Sequence, residues 1–242
     1  MQTSNPTLKA FENNSVVIGE SAMTVNGTIT KTALCLAILF FGAFWSWRVI
    51  PTSSATLWMI GGSIGAFILA LITCFKPQVA PITTPLYAAV EGLLLGTISS
   101  FYDARYPGIA AQAVCLTAIT ATIMLVAFRT GLIRPTEKFR SIITVATLSI
   151  CGIYLIDFIL GMFGKGIPLS TSTGTFGILF SVFVVAIAAL NLILDFGRIS
   201  EGAERGAAKY MEWYGAFSLM VTLVWLYLEI LRLLSKLQSR RN

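Results

Sequence analysis

Five acidic side chains are the residues of this sequence best suited to chemistry, because each falls in or beside a long apolar stretch. They are Glu91, Asp157, Asp195, Glu212 and Glu229. The chain has no histidine, so proton binding near neutral pH would depend on carboxyl groups, and metal binding on oxygen ligands. An ionised acid near the centre of a membrane span costs roughly 2.5 to 3.5 kcal/mol, so such acids are candidates for a proton-sensing site or an ion pathway.

Two of these acids have a nearby arginine that offers a simpler interpretation. Glu229 lies three residues before Arg232. Asp195 has Arg198 at the same spacing. Residues three apart share one face of a helix, so either pair could form a local ion pair. Asp195 also ends an apolar run, where an ion pathway would open, and both interpretations stay open there.

Glu91 and Asp157 have no basic residue within one helical turn. Each could stay protonated and hydrogen-bonded in the core, or could line a path of oxygen ligands together with Asp195 and Glu212. Oxygen ligands suit Ca²⁺, and acidic side chains in a pore select for cations. The acids therefore predict transient Ca²⁺ binding, with no structural metal and no other cofactor.

The elements that would position these acids are membrane spans. Of 242 residues, 56% are hydrophobic and 12% charged, whereas about a quarter of the residues in soluble domains are charged. Several apolar stretches are long enough for the ~20 residues that cross a bilayer. We expect an all-α polytopic membrane protein with seven spans at 32–50, 55–75, 85–102, 108–129, 141–163, 175–196 and 213–234.

The predicted domain organisation is a single membrane domain, residues 32–236, between two tails. Residues 1–31 form the N-terminal tail and residues 237–242 a basic C-terminal tail. Lysine and arginine at the span ends and in the loops favour a cytoplasmic N-terminus once the C-terminal tail is left out. The basic C-terminal tail argues the other way, which leaves open whether the last apolar segment crosses completely.

Two pairs of glycines predict close contacts between helices. Gly61 and Gly65 lie four residues apart in the second span, as do Gly92 and Gly96 in the third. This spacing puts small residues on one helical face, where backbones can approach.

Several classes of function lack their usual sequence features. There is no phosphate-binding glycine-rich loop, GxSxG elbow or HExxH motif, so we expect no enzyme. The lysines and arginines lie at span ends rather than on one soluble face, so we expect no nucleic-acid binding.

Several stretches resemble a known family. SNPTLKAF, PLYAAVEGLLLGTISSFYDARYPGI and above all ALNLILDFGRISEGAERGAAKYMEWYGAFSLMVTLVWLYLEILRLLSKL resemble the bacterial branch of the Bax inhibitor-1 (transmembrane Bax inhibitor motif, YccA-like) family. The resemblance implies a seven-helix bundle with the last helix central, in the bacterial cytoplasmic membrane, and a pH-sensitive Ca²⁺ leak. It also implies a pair of acids that share a proton, one ending the sixth span and one in the seventh.

Asp195, in LDFGRI, matches the first acid of that pair. The second has no clear match, because Thr222 or a neighbour stands where the family's aspartate should fall. Glu212 and Glu229 could substitute for it only by location, and Glu91 is an alternative partner.

Our first hypothesis is a calcium leak channel gated by protonation of Asp195 and a nearby acid. A second is an interaction protein that modulates a membrane protease or quality-control complex through residues 1–31. A third is a proton-coupled transporter.

Overall fold

Seven long α-helices make up most of the computed structural model, which describes residues 22–49, 55–163 and 174–241. In chain order they are α1 Val25–Val49, α2 Ala55–Phe75, α3 Ala80–Arg105, α4 Ile109–Arg129, α5 Glu137–Met162, α6 Thr175–Glu204 and α7 Met211–Arg241. A short 3₁₀ helix, Pro77–Val79, precedes α3. Within these ranges, an isolated antiparallel bridge joins Ala22 to Ala208.

All seven helices are long and apolar enough to cross a membrane, as the apolar stretches predicted. Many large apolar side chains point outwards, among them Leu57 at 76% exposure and Phe176 at 81%. Water would penalise so much exposed apolar surface, whereas lipid does not. The chain is therefore a multi-pass membrane protein of the all-α class.

The helices extend beyond the predicted spans because their polar end turns stay helical outside the apolar stretches. α1 begins at Val25, so the last seven residues of the predicted 1–31 tail belong to a helix, and residues 1–21 lie outside the described part. α7 continues to Arg241, which makes most of the predicted basic tail helical. Pro85, predicted to open a span, lies inside α3, in its second turn, where the missing backbone N–H removes one hydrogen bond of the helix.

Three helices are much more buried than the others. At least 50% of an apolar stretch of 18 residues is buried in each of α3, α6 and α7, whereas the buried share is at most 22% in the other four helices. The last helix is thus among the most buried, as the family resemblance implied.

The contacts group the chain into two compact units. The first contains the described residues up to Phe101 together with Gly197–Val221. Within it, α3 packs closely on α1: a methyl group added to Gly92 would collide with the backbone of Leu39, and one added to Gly96 with the backbone of Ala43. Glycine is needed at both positions because only a residue without a side chain lets the two backbones come this close.

The other predicted pair of glycines is placed differently. A methyl group on Gly61 would meet nothing within 4 Å, and one on Gly65 would only touch Val90, at 3.6 Å. Within the described residues, Gly61 therefore does not make the close helix contact that its spacing predicted. A groove of about 370 Å³ opens beside these glycines, lined by apolar side chains of α2 and α3.

The second unit comprises Tyr102–Phe196 and the chain from Thr222 onward. Its core is formed by Ile143 and Ile150 of α5 with Val184, Ile187 and Leu194 of α6, and Trp225 of α7 packs against them. This apolar core fixes the faces on which the acids of α6 and α7 lie.

Candidate functional site: the buried carboxyl groups

Asp195 of α6 is hydrogen-bonded to Thr222 of α7. The Thr222 hydroxyl donates to Asp195 Oδ2 over 2.6 Å. Both residues are buried, Asp195 at 3% exposure and Thr222 at 8%. A hydroxyl can donate to a carboxylate and can also accept from a carboxylic acid. The contact can therefore exist with Asp195 either ionised or neutral, while the charge at this point changes.

Glu91 is the second strongly buried acid, at 5% exposure, and belongs to the first unit. Its neighbour one turn earlier is Tyr87, whose ring meets the edge of Phe217 with centroids 5.1 Å apart. Among the described residues, no cation forms an ion pair with Glu91. A carboxyl group in such surroundings is costly to ionise.

Glu212 at the start of α7 is fully buried and tightly bound. It accepts hydrogen bonds from the backbone N–H and the hydroxyl of Thr24, each over 2.9 Å. It also forms ion pairs with Lys31 and, over 3.2 Å, with Lys209. A methyl group on Gly27 would overlap the Glu212 carboxylate, so the start of α1 fits around this acid.

A second contact holds the same segment. The backbone N–H of Met23 donates to the carbonyl of Ala207 over 2.6 Å, beside the bridge between Ala22 and Ala208. Glu212 was predicted as part of an ion pathway. That role stays a prediction, and its two lysine partners and two Thr24 donors give Glu212 the geometry of an anchor that joins α1 to the start of α7.

Glu229 is also paired with a cation. Its Oε1 lies 2.8 Å from Arg232 Nη1, which confirms the ion pair suggested by their spacing. The Tyr154 hydroxyl lies 3.0 Å from both carboxylate oxygens and 2.7 Å from Arg232 Nη1. Asp157, one turn further along α5, is half-buried.

The five acids are divided between the two compact units. Glu91 and Glu212 belong to the first unit, whereas Asp157, Asp195 and Glu229 belong to the second. Within the described ranges, no three acids or cysteines come together as a metal site.

Sequence reasoning missed several residues that bind these acids. Thr24 and Lys31 contact Glu212 from 188 and 181 residues away, and Tyr154 reaches Glu229 from 75 residues away. Spacing along one helix reveals partners three or four residues apart, so it could have shown Lys209 but not these three.

Comparison with known proteins gives the family. No curated protein matches the chain. The family model described as Bax inhibitor 1 like matches residues 4–239, which is nearly the whole chain and includes all five acids. This chain belongs to the Bax inhibitor 1 like family.

Proposed function

We propose that this protein is a cation leak channel, with Ca²⁺ as the leading cation, gated by protonation of Asp195. The observation that carries the proposal is the hydrogen bond between Asp195 and Thr222, which joins two of the most buried helices at a titratable group. When Asp195 takes up a proton, the charge inside the protein changes while the Thr222 hydroxyl can stay hydrogen-bonded to it.

The two protonation states need different surroundings. An ionised carboxylate in an apolar interior requires donors, water or a cation to offset its lost hydration. A neutral carboxylic acid requires a hydrogen bond at most. Ionised Asp195 would therefore favour an arrangement of α6 and α7 that admits a cation, and neutral Asp195 one that packs without it.

The contacts of three other acids indicate which of them is suited to respond to pH together with Asp195. Glu212 and Glu229 are already paired with lysine or arginine, so their charge is offset and they are poorly suited to bind a passing cation. Glu91 forms no such pair with a described residue. It is the second group whose protonation would matter.

We place the protein in the bacterial cytoplasmic membrane with the N-terminus in the cytoplasm. The support is the surplus of lysine and arginine on that side of the spans once the C-terminal tail is left out.

Ca²⁺ flux through purified protein in liposomes tests the proposal between pH 6 and pH 8. We expect flux in the wild type that changes across this range, and a flat profile in Asp195→Asn. Glu137→Gln is the matched control, because it makes the same change of acid to amide on an exposed side chain at the start of α5. Identical profiles in wild type and Asp195→Asn, or flux no higher than in protein-free liposomes, would reject the gate.

A further inference from the structure

Two cations and one carboxylate lie together near the end of α7, all within the second unit. Arg232 is bound to Glu229 and Tyr154. Lys236, one turn later, is buried at 5% exposure. Its ammonium group donates to Ser181 Oγ over 2.9 Å and to the carbonyl of Gly177 over 3.1 Å. We call Tyr154, Ser181, Glu229, Arg232 and Lys236 the cationic cluster.

The cationic cluster has an excess of positive charge. Both acceptors of Lys236 are neutral, and among the described residues no carboxylate forms an ion pair with it. Arg232 and Glu229 are close enough to act on Lys236 electrostatically. Two positive groups thus share one carboxylate, and a buried ammonium without a counter-charge is expensive. A bound anion would offset that cost.

The length of α7 puts the cationic cluster at the level of the lipid headgroups. A helix of 31 residues is about 46 Å long at 1.5 Å per residue, whereas the hydrocarbon core measures about 30 Å. With Met211 at one interface, Arg232 lies about 32 Å further along the axis and Lys236 about 38 Å. Both cations therefore reach the opposite interface, where lipid phosphates are found.

Arg232 has donors left for a ligand. A guanidinium carries five N–H donors in a planar fork that matches phosphate oxygens. The contacts with Glu229 and Tyr154 both use Nη1, and the Arg232 side chain is 36% exposed. Arg232 can thus contact a phosphate directly, while Lys236 adds positive charge beneath it.

We infer that the cationic cluster binds the phosphate group of an anionic lipid headgroup. The ligand chemistry is that of a phosphate, and the depth of the cluster favours a lipid over free phosphate as its source.

Native mass spectrometry of the full chain in detergent tests this inference with phosphatidylglycerol and phosphatidylcholine as probes. We expect the wild type to retain phosphatidylglycerol in preference. Lys236→Gln should weaken that retention about fivefold, since one basic residue near a membrane surface contributes about 1 kcal/mol. The control is Arg240→Gln, which removes the same charge from an exposed position one turn later and should have a much smaller effect.

Glu229→Gln separates a ligand site from a merely structural cluster. Removing the only carboxylate of the cluster frees Arg232 and takes away the negative charge that acts on Lys236. Retention of phosphatidylglycerol should therefore rise, whereas loss of a structural ion pair would lower it or leave it unchanged. Circular dichroism checks whether each variant is folded. If Lys236→Gln does not fold, retention of phosphatidylglycerol by Glu229→Gln decides between a ligand site and a structural cluster.

Equal losses in Lys236→Gln and Arg240→Gln would mean diffuse surface charge and would overturn the inference, as would lower or unchanged retention in Glu229→Gln. Displacement of the lipid by inorganic phosphate, and not by chloride at equal ionic strength, would support the phosphate site and point to a soluble source.

Discussion

At the scale of single residues, the proposed gate depends on the contact between Asp195 and Thr222. The resemblance to the family singled out both positions, because Thr222 stands where a second acid was expected. The structure shows what the substitution leaves: one titratable group with a hydroxyl partner 2.6 Å away. Two carboxyl groups that share a proton would titrate as a coupled pair, whereas this contact contains only one.

Replacing Thr222 tests whether its hydroxyl tunes the gate. A hydrogen bond to a charged acceptor is stronger than one to a neutral group, so its loss in Thr222→Val penalises the ionised form of Asp195 more. The midpoint of the curve of flux against pH should move to higher pH, by about one pH unit for a bond of about 1.5 kcal/mol. Flux assays in liposomes measure this midpoint.

Thr222→Ser is the control for that experiment, because it keeps the hydroxyl and should keep the midpoint near that of the wild type. A midpoint unchanged in Thr222→Val, or one that moves equally in both variants, would show that the hydroxyl has no part in the response to pH.

At the scale of helices, the sequence predicted where the spans lie better than it predicted which helix faces pack against one another. Apolar length located all seven helices, because a bilayer requires a run of about 20 apolar residues whatever the helix packs against. The same reasoning could not tell the tightly packed Gly92 from the open Gly61, since four-residue spacing is identical in both pairs. Which face meets another helix depends on contacts far apart in sequence.

A matched pair of glycine substitutions measures this difference. In Gly92→Ala the added methyl group collides with the α1 backbone at Leu39, and we expect a loss of about 1 to 3 kcal/mol, as for other overpacked interiors. Gly61→Ala adds the same methyl group where nothing lies within 4 Å, so we expect little change. Thermal unfolding in detergent provides the comparison.

Two results would contradict the packing described for α3. One is a Gly92→Ala protein as stable as the wild type. The other is a Gly61→Ala protein that loses as much stability as Gly92→Ala, which would mean that both glycines lie in equally tight contacts.

At the scale of the whole molecule, the acids differ in the groups that bind their carboxylates. Lysine and arginine offset Glu212 and Glu229, whereas Glu91 forms no ion pair with a described cation. Asp195 accepts a hydrogen bond from the Thr222 hydroxyl. The sequence identified the acids, because charged residues in apolar stretches are conspicuous. The sequence could not show which groups bind each acid. The partners Thr24, Lys31 and Tyr154 come from other helices or from distant parts of the chain.

Competition between Ca²⁺ and protons tests the proposed gate most directly. If a cation is favoured by ionised Asp195, linkage requires that Ca²⁺ oppose protonation. In liposomes, the midpoint of the curve of normalised Ca²⁺ flux against pH should move to lower pH as the Ca²⁺ concentration rises. The shift should be up to about one pH unit for each tenfold increase in Ca²⁺. Asp195→Asn should show no such midpoint. A wild-type midpoint that stays fixed at every Ca²⁺ concentration would contradict gating by protonation of Asp195.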